Sequence, residues 1–313
     1  MTHRVFIDGA AGTTGLEIAD RLKDRTEFEL VRLGDEQRKD SGARREALNE
    51  CDIAILCLPD DAAREAVELV DPGSRTRIID ASSAHRTVEG WCYGFPELLG
   101  QDRIANARRV SNPGCYPTGF LALVAPLVRD GLLPADWPYT VNAVSGYSGG
   151  GKALIERFAT HCDIAFRAYG LGLNHKHLPE MQQHAGLAHP PVFSPSVIAA
   201  MRGMIVDVPL PLEAMDGARS GGALRDALAQ FYSEAQLVRV QGSDEPVAEL
   251  LLHEGAEAWD SLDLWVFASD DGSQARLVAR LDNLGKGASG AAVQNLNLMC
   301  GLSETAGLHL PKF

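Results

Sequence analysis

The sequence predicts an α/β protein in which a doubly wound parallel sheet is followed by a second domain built on a mixed or antiparallel sheet. Short apolar runs alternate with helical patterns up to about residue 114, and a glycine-rich turn separates the first run from the first helical pattern. Beyond residue 115, strand-like runs follow one another with few helical patterns between them. Alternating strands and helices are typical of parallel sheets, whereas consecutive strands are typical of antiparallel or mixed sheets.

The first domain opens with an apolar run at residues 5–7, followed by the turn "GAAGTTG" and a helix. The apolar residues on the inner side of this helix are Leu16, Ile18, Ala19 and Leu22. Further strands are predicted at residues 28–34 and 52–59, and a fourth in "TRIIDASS". The nearly continuous apolar run "DIAILCLP" fits a strand that is buried on both faces of a parallel sheet.

The second domain begins with a helix predicted over residues 117–129. Its strand candidates are "YTVNAVSGYS", "GMIVDVPL", "AQLVRVQ" and "LDLWVFASD". The chain becomes helical again from about residue 287, and this helix could return to the first domain. We therefore expect a dinucleotide-binding domain at residues 1–114, completed by a C-terminal helix over 286–313, and a catalytic domain at residues 115–285.

The composition and charge of the chain argue against several classes of protein. The chain has 313 residues and a formal net charge of -13, which disfavours nucleic acid and anionic membrane surfaces as partners. Its six cysteines form no CxxC pair, so neither a zinc site nor a disulfide framework is expected. There is no apolar run long enough to cross a membrane and no signal-peptide pattern, so we expect a cytoplasmic protein.

The glycine-rich turn indicates a nucleotide site. Gly9, Gly12 and Gly15 lie between a predicted strand and a predicted helix. Without side chains there, the backbone can approach a pyrophosphate, and the start of the helix offers N–H groups to it. The spacing G-x-x-G-x-x-G departs from the G-x-G-x-x-G fingerprint, and a plain glycine turn is the alternative.

The residues that would select the cofactor leave the choice open. Asp35 lies near the position at which an acidic residue holds a ribose 2′-hydroxyl, while Arg38 and Lys39 could bind a 2′-phosphate. All three could instead belong to a solvated loop.

A candidate nucleophile lies in "SNPGCYPTG". Pro117 suits the first position of a helix, which would put Cys115 just ahead of a helix amino terminus, where a thiolate is stabilised. Gly114 permits a tight turn, and Asn112 could donate a hydrogen bond to a developing oxyanion. The alternative is that Cys115 is a small apolar residue in a proline-rich turn.

A candidate acid/base lies in "NHKHLPEM". If this stretch is extended, His175 and His177 point to the same side; if it turns at Pro179, Glu180 can orient one imidazole. The alternatives are a purely structural role and a metal site that adds His184, since zinc accepts these ligands.

The segment "SGYSGGGK", residues 145–152, indicates an anion site. Successive backbone N–H groups around Ser148 can form an anion-binding concavity, to which Lys152 adds charge. The spacing is not that of a Walker loop, and a flexible hinge is the alternative.

Together these features favour one reaction class. A thiolate attacks an acyl phosphate, phosphate leaves, and hydride from a nicotinamide reduces the thioester through a hemithioacetal to an aldehyde. The histidine moves the proton, and a cationic or N–H-rich pocket holds the phosphate.

Five segments, "FIDGAAGTTGLEI", "SNPGCYPTG", "SGYSGGGKALI", "HKHLPEM" and "DNLGKGASGAAVQNLN", occur in this order across essentially the whole chain. In these motifs the sequence resembles the shorter type of N-acetyl-gamma-glutamyl-phosphate reductases. The resemblance implies NADPH-linked reduction of N-acetyl-gamma-glutamyl phosphate to the 5-semialdehyde in arginine biosynthesis. It also implies a Rossmann domain and a mixed-sheet domain of the semialdehyde dehydrogenase type that carries the contacts of a homo-oligomer, a dimer or a tetramer.

The resemblance assigns roles residue by residue. The nucleophile falls on Cys115 and the histidine motif on His175, His177 and Glu180; we favour His177 as the acid/base, because Glu180 and the turn at Pro179 lie nearest to it. NADP(H) is the implied cofactor, although a carboxylate at Asp35 would repel its 2′-phosphate. The cofactor residues are Gly9, Gly12, Thr13, Thr14, Gly15, Arg38, Lys39, Ser148, Gly149, Asn283, Gly285 and Lys286. The substrate candidates are Ser145, Lys152, Lys176 and Arg109, the last three as cations for the α-carboxylate.

Other functions remain open at this point. The chain could reduce aspartyl phosphate or a carrier-bound aminoadipyl phosphate. Cys115 and His177 could instead form a hydrolase pair, or the protein could be a metabolite sensor without turnover.

Overall fold

The computed structural model describes residues 2–34, 36–242 and 247–310. The chain divides into two compact units. The first comprises Met1–Gly114 and Ala288–Leu308, and the second comprises Cys115–Gly287 and His309–Phe313. Within the described ranges, no helix is both long enough and apolar enough to cross a membrane.

The first unit is built on a six-stranded parallel sheet. Its strands are β1 (His3–Asp8), β2 (Phe28–Val31), β3 (Ile53–Leu56), β4 (Arg77–Asp80), β5 (Cys92–Tyr93) and β6 (Arg109–Ser111). Their order in the sheet is β2-β1-β3-β4-β6-β5, and every neighbouring pair is parallel. The helices that precede residue 114 are α1 (Thr13–Leu22), α2 (Ser41–Glu50), α3 (Asp60–Glu68), α4 (Pro96–Leu99) and α5 (Gln101–Asn106).

The second unit contains a seven-stranded mixed sheet. Its strands are β7 (Thr140–Gly146), β8 (Phe166–Ala168), β9 (Val192–Ile198), β10 (Met204–Leu210), β11 (Val238–Val240), β12 (Leu262–Ala268) and β13 (Ala275–Leu281). Their order is β11-β12-β13-β10-β7-β9-β8, with parallel pairing only for β11 with β12 and for β7 with β9 among the described residues. The helices are α6 (Cys115–Arg129), α7 (Gly151–Thr160), α8 (Leu178–Ala185) and α9 (Gly221–Phe231). The predicted combination of a doubly wound parallel sheet and a mixed sheet is confirmed.

The chain returns to the first unit through α10 (Gly290–Met299). The alternation of residues along the parallel strands explains why helices cover both faces of the sheet. On one face, Val5 and Ile7 pack with residues of α1 and α10, whereas on the other Phe6 packs with residues of α2 and α3. Burial of each such large apolar side chain contributes about 1.5–3 kcal/mol.

In the second unit, α6 and α9 pack against one face of the mixed sheet. Gly119 permits the close approach of α6, because a Cβ at this position would lie 2.8 Å from a methyl group of Val206 on β10. On the opposite face the side chains are partly exposed, among them Val144, Ile205 and Phe166.

Several boundaries differ from the sequence prediction. Helix α6 begins at Cys115, two residues before the predicted start; Pro117 is tolerated there because N–H groups in a first turn have no intrahelical partner. The C-terminal helix was predicted too long: it ends at Met299, although residues 311–313 of the predicted span lie outside the described residues. The sequence prediction missed α2, α4, α5, β5 and β6 in the first unit and β8, β9, β13, α7, α8 and α9 in the second.

Candidate active site

Cys115 is the first residue of α6 and is half-buried. Cys115 was expected to precede the helix, but the helix begins two residues earlier than predicted, so that Cys115 lies inside its first turn. The positive end of the helix dipole still acts on its sulfur there, which favours the thiolate.

A glycine that was not among the sequence candidates lies against this cysteine. Gly287 belongs to a π-helical turn over Gly285–Ser289, and a Cβ at position 287 would lie 2.8 Å from Cβ of Cys115. A glycine is thus required for this close approach. The repeated glycines of "GKGASG" were the sequence signal for it.

Tyr116 follows the cysteine and is buried. Its hydroxyl donates a hydrogen bond to the Ser196 carbonyl at 3.1 Å and accepts one from the Tyr169 hydroxyl at 3.2 Å. Burial raises the pKa of Tyr116, and the charges of Tyr169 and Cys115 raise it further. Burial and the Cys115 charge also raise the pKa of Tyr169, to about 12. Both phenols are therefore protonated at neutral pH.

The two candidate histidines form a turn, so the extended alternative is excluded. The His175 carbonyl accepts from the Leu178 N–H at 3.0 Å, and the His177 carbonyl accepts from the Met181 N–H at 3.0 Å. His177 is the N-cap residue of α8, and its own N–H donates to Nδ1 of His175 at 3.2 Å. Burial and the Lys176 charge lower the pKa of His175 to about 4.

Aromatic contacts bring the histidines to the residue that follows Cys115. The Tyr116 ring centre lies 6.0 Å from that of His175 and 5.9 Å from that of His177. The two imidazole centres are 4.7 Å apart. Helix α8 also packs against α6, so the candidate nucleophile and both histidines lie in one region of the second unit.

Glu180 lies in the first turn of α8 and is buried. Pro179 and Glu180 both lie in the first turn of α8, and His177 is the N-cap of the same helix. The chain therefore turns near Pro179, as the second alternative from the sequence assumed. Across residues 2–34, 36–242 and 247–310, no three His, Cys, Asp or Glu side chains are grouped as a metal site needs. The alternative of a metal at the histidine motif therefore has no support in the arrangement of its ligands.

Asn112 is held by hydrogen bonds within the first unit. Its Nδ2 donates to the Ala288 carbonyl at 2.9 Å, and its Oδ1 accepts from Asn295 Nδ2 at 3.0 Å. Its main-chain N–H donates to the Asp80 carbonyl at 2.7 Å, and its carbonyl accepts from Arg86 Nε at 2.9 Å. One Nδ2 hydrogen is thereby donated within the first unit, and the role of Asn112 as an oxyanion donor, which would need the second hydrogen, stays a prediction.

The segment at residues 145–152 connects strand β7 to helix α7 through a 3-10 turn, Tyr147–Gly150. Ser145 Oγ donates to the Gly146 carbonyl at 3.0 Å. Ser148 Oγ accepts from Asn283 Nδ2 at 2.8 Å, and Asn283 Oδ1 accepts from the Gly203 N–H at 2.9 Å. Two candidate cofactor residues, Ser148 and Asn283, are thus hydrogen-bonded to each other in a buried network.

Three neighbouring cofactor candidates of the second unit, Gly149, Gly285 and Lys286, are packed against other residues. A Cβ on Gly149 would lie 3.4 Å from Asn283 Nδ2, and one on Gly285 would lie 1.9 Å from the Trp259 carbonyl oxygen. Lys286 is buried. Gly285 therefore has a structural reason that is independent of any ligand, whereas the contact at Gly149 is an ordinary van der Waals distance and does not require a glycine.

The glycine loop in the first unit has the features of a phosphate cradle. Gly9 has a φ of +88° and its Cβ would lie 2.3 Å from the Cys57 carbonyl oxygen, while a Cβ on Gly15 would lie 2.6 Å from the Gly9 carbonyl oxygen. Gly12 is the N-cap of α1 and makes no side-chain cap. Within the described residues, the buried Thr13 Oγ1 has no hydrogen-bond partner. An uncapped helix start and an unsatisfied buried hydroxyl together fit a pyrophosphate.

The basic candidates for a 2′-phosphate lie in a 3-10 turn, Gln37–Lys39, in which Arg38 and Lys39 are exposed. Asp35 lies outside the described residues. The sequence missed Arg44 on α2, whose Nε and Nη2 donate to Oδ2 of the buried Asp8 at 3.1 and 2.8 Å. Asp8 ends β1, so this guanidinium is held at the carboxyl end of the sheet, where ligands of parallel α/β sheets bind.

The three candidate cations for a substrate carboxylate differ in position. Lys152 is exposed at the second position of α7, and Lys176 is exposed between the two histidines. Arg109 belongs to the first unit and begins β6, and its guanidinium lies 5.8 Å from the ring centre of Trp91. The amino end of a parallel strand is the wrong end for a ligand, which argues against Arg109.

Two family models match the chain. The semialdehyde dehydrogenase NAD binding domain matches residues 4–107, and the semialdehyde dehydrogenase dimerisation domain matches residues 115–283. Among solved structures, the chain is similar to aspartate semialdehyde dehydrogenase from Francisella tularensis, with a TM-score of 0.70, 14% identity and coverage of 96% of this chain and 100% of that one. The enzyme from Candida albicans, solved with NADP, has a TM-score of 0.64 and 14% identity, covering 98% of this chain and 99% of that one. At these identities the likeness concerns the fold alone.

Curated relatives share far more of the sequence. The N-acetyl-gamma-glutamyl-phosphate reductase of Trichormus variabilis is 52% identical over 97% of this chain and 99% of its own length. The reductase of Burkholderia orbicola is 50% identical over 96% of this chain and 98% of its own length. N-acetyl-gamma-glutamyl-phosphate reductase 2 of Pseudomonas putida is 50% identical, covering 98% of this chain and 99% of that protein. With both semialdehyde dehydrogenase domains matched and half of its residues shared with these proteins, the chain belongs to the family of N-acetyl-gamma-glutamyl-phosphate reductases.

Proposed function

We propose that the protein reduces N-acetyl-gamma-glutamyl phosphate to N-acetyl-L-glutamate 5-semialdehyde and phosphate, a step of arginine biosynthesis. The observation that carries the proposal is the pairing of Cys115, at the start of α6, with a histidine turn that contacts the next residue of that helix. Near 50% identity to reductases of this name over almost the whole chain supports the choice of substrate.

In the proposed mechanism Cys115 acts first. Its thiolate forms a bond to the acyl carbon, the bond from that carbon to the phosphate oxygen breaks, and phosphate leaves with the electron pair. The helix dipole of α6 favours the ionised sulfur before the attack. Tyr116 and Tyr169 stay protonated beside it, so they add no competing negative charge.

NADPH, when bound, supplies the hydride that reduces the thioester. His177 donates a proton to the oxygen of the resulting hemithioacetal and takes it back as the carbon–sulfur bond breaks, which releases the aldehyde and restores the thiolate. Burial of His177 and of Glu180 on α8 keeps this proton transfer away from bulk water.

The first unit would bind the cofactor, and the second would carry catalysis. Backbone N–H groups at Thr13 and Thr14 would hold the pyrophosphate, with the Thr13 hydroxyl as an added donor; the Gly12 N–H instead donates to the Gly9 carbonyl at 2.9 Å and closes the turn. Arg38, Lys39 and Arg44 would meet the 2′-phosphate, which favours NADPH over NADH. The N–H groups of Gly146, Tyr147 and Ser148 already donate to main-chain carbonyls of residues 200–203. The leaving phosphate would therefore be held further along, at residues 149–152, and the α-carboxylate by Lys152 or Lys176.

We further propose a homo-oligomer, at least a dimer. Its contacts would be formed by the face of the mixed sheet that lies opposite α6 and α9. The matched dimerisation domain contains this sheet. Phe166 and Val192 on that face are 57% and 47% exposed, which is unusual for large apolar side chains on one surface. A Phe166→Asp variant should lower the mass measured by light scattering.

The cytoplasm is the proposed location. All six cysteines are free thiols, as the reducing cytoplasm allows.

The substrate is tested by phosphate-dependent oxidation of three semialdehydes with NADP⁺. N-acetylglutamate semialdehyde should give the highest kcat/KM, by at least about 100-fold over aspartate semialdehyde, because a missing acyl contact leaves buried polar groups unpaired. A preference for aspartate semialdehyde or a carrier-bound aminoadipate semialdehyde would assign the chain to another acyl phosphate. Undiminished turnover by Cys115→Ser would refute the mechanism.

A further inference from the structure

We propose that His175 is a positioning residue: its Nδ1 accepts the main-chain N–H of His177 and so fixes the acid/base against the nucleophile. The inference rests on the proposed function, in which His177 moves the proton. It gives each of the two histidines of the motif its own role.

The hydrogen bond determines which nitrogen of His175 carries the proton. The His177 N–H lies 3.2 Å from His175 Nδ1, and a ring nitrogen accepts a hydrogen bond only through its lone pair. Nδ1 must therefore be unprotonated and Nε2 must carry the hydrogen. Protonation of Nδ1 would place two N–H groups against each other and break the turn.

The environment keeps His175 in that neutral form. Burial is the larger cause and the adjacent Lys176 charge the smaller one, and together they lower the pKa of His175 to about 4. A group with so low a pKa is a weak base at neutral pH, whereas an acid/base catalyst works best with a pKa near the working pH. His175 is thus poorly suited to the proton transfer itself.

Aromatic rings hold the imidazole of His175 in its orientation. Its plane is at 90° to the Tyr116 ring and at 89° to the Phe193 ring, with ring centres 6.0 and 5.1 Å away. Tyr169 lies 5.6 Å away on another side. The Tyr169 hydroxyl donates to Tyr116, which in turn donates to the Ser196 carbonyl, so this aromatic cage is fixed by hydrogen bonds to strand β9.

The consequence for His177 is a fixed backbone before substrate arrives. Its N–H is held by His175, and its carbonyl accepts from the Met181 N–H at 3.0 Å, within the first turn of α8. Both ends of the residue are thereby tied, which limits the directions in which its side chain can point. Misplacement of a catalytic group by about 1 Å can cost about 100-fold in rate.

The test compares His175→Asn with His175→Leu, whose side chains have nearly the same shape. His175→Asn retains an acceptor that can reach the His177 N–H, and His175→Leu removes it; His175→Phe is a second variant without an acceptor that keeps a ring in the cage. His177→Asn is the reference for loss of the acid/base. kcat, KM and the pH profile of kcat are measured for NADP⁺-linked oxidation of N-acetylglutamate semialdehyde, with melting temperatures as a check on folding.

His175→Asn should keep kcat within about threefold of wild type and leave the pH profile unchanged. His175→Leu and His175→Phe should lower kcat by about 10- to 100-fold with KM nearly unchanged. His177→Asn should lose about 100- to 10,000-fold. A loss in His175→Asn as large as that in His177→Asn would make His175 the acid/base, and wild-type kcat in either variant without an acceptor would show that the hydrogen bond is dispensable.

Failure of the proposed function gives a different pattern. In that case wild type does not oxidise the semialdehyde, or Cys115→Ser is as active as wild type. If wild type is active and Cys115→Ser is inactive, the proposed function holds, and the His175 variants then test only the positioning role of His175.

Discussion

Gly287 lies directly against Cys115, so close that a single added methyl group would come within 2.8 Å of the cysteine Cβ and 3.2 Å of its Cα. The candidate nucleophile is therefore packed against backbone, which limits its movement at the start of α6. This contact explains why a glycine occupies position 287 within the repeated glycines of "GKGASG".

We expect Gly287→Ala to reduce kcat by at least about tenfold, because the clash must displace either the cysteine or the π-helical turn. Gly222→Ala is the matched control, since no atom lies within 4 Å of a Cβ at position 222. Steady-state kinetics and thermal melts of both variants check this. Wild-type kcat in Gly287→Ala would show that the contact is unimportant.

Thiol reactivity should single out Cys115. Burial raises the pKa of Cys51 to about 11, of Cys57 to about 12 and of Cys300 to about 12, and it also raises the pKa of Cys92. These four thiols should resist alkylation by iodoacetamide at pH 7.5. Peptide mass mapping over time should show Cys115 modified first.

Cys162 is the internal control, because it is exposed but follows the carboxyl end of α7 and is not at a helix amino terminus. We expect Cys115 to react about tenfold faster, since a helix start lowers the pKa of a thiol. Equal rates at the two positions would argue against an activated Cys115.

Thr13 gives a prediction about cofactor binding that does not depend on turnover. Replacing it with Val removes a buried hydroxyl that has no partner within the described residues. The melting temperature without ligand should stay constant or rise, whereas the Kd for NADP⁺ should increase about five- to tenfold, the value of about one hydrogen bond. Fluorescence titration measures the Kd, with the exposed Thr26→Val as control; an unchanged Kd for Thr13→Val would remove this residue from the pyrophosphate site.

The stability of the protein should depend on pH through His175. Its pKa falls from 6.5 to about 4 in the folded chain, so between these values the unfolded chain binds the proton and the folded chain does not. Stability contributed by the neutral ring is therefore present above about pH 6.5 and is lost as the pH falls toward 4. The urea midpoint should fall more between pH 7 and pH 5 in wild type than in His175→Asn. An equal fall in both proteins would contradict the lowered pKa of His175.

The sequence predicted those parts of the fold that depend on local pattern. The continuous apolar run that became β3 and the alternation of β1 and α1 were sufficient for a parallel sheet, because each strand there is buried on both faces. Short elements gave no such signal. The three residues of β8 are largely exposed, and α8 is an eight-residue helix that follows directly from the histidine turn.

In the site, the sequence identified residues whose chemistry is distinctive and missed those that act by contact. Cys115, His175 and His177 stand out by residue type and by the turns around them. Tyr169 and Phe193 enclose His175 from outside the histidine motif, and such contacts between side chains leave no mark in the sequence pattern. Proximity in sequence to Cys115 favoured a catalytic role for Asn112, and nothing in the sequence indicated that its amide is also held by residues from the far end of the chain.

The covalent intermediate on Cys115 offers the most direct measurement. Wild type, Cys115→Ser and His177→Asn are each mixed with N-acetyl-gamma-glutamyl phosphate in the absence of NADPH, and intact and peptide masses are recorded together with released phosphate. Wild type should gain the mass of one N-acetylglutamyl group on the peptide that contains Cys115, release an equal amount of phosphate and lose the adduct as semialdehyde when NADPH is added; Cys115→Ser should show neither adduct nor release. Steady turnover by wild type without any adduct on Cys115, or an adduct of equal yield in Cys115→Ser, would contradict the mechanism.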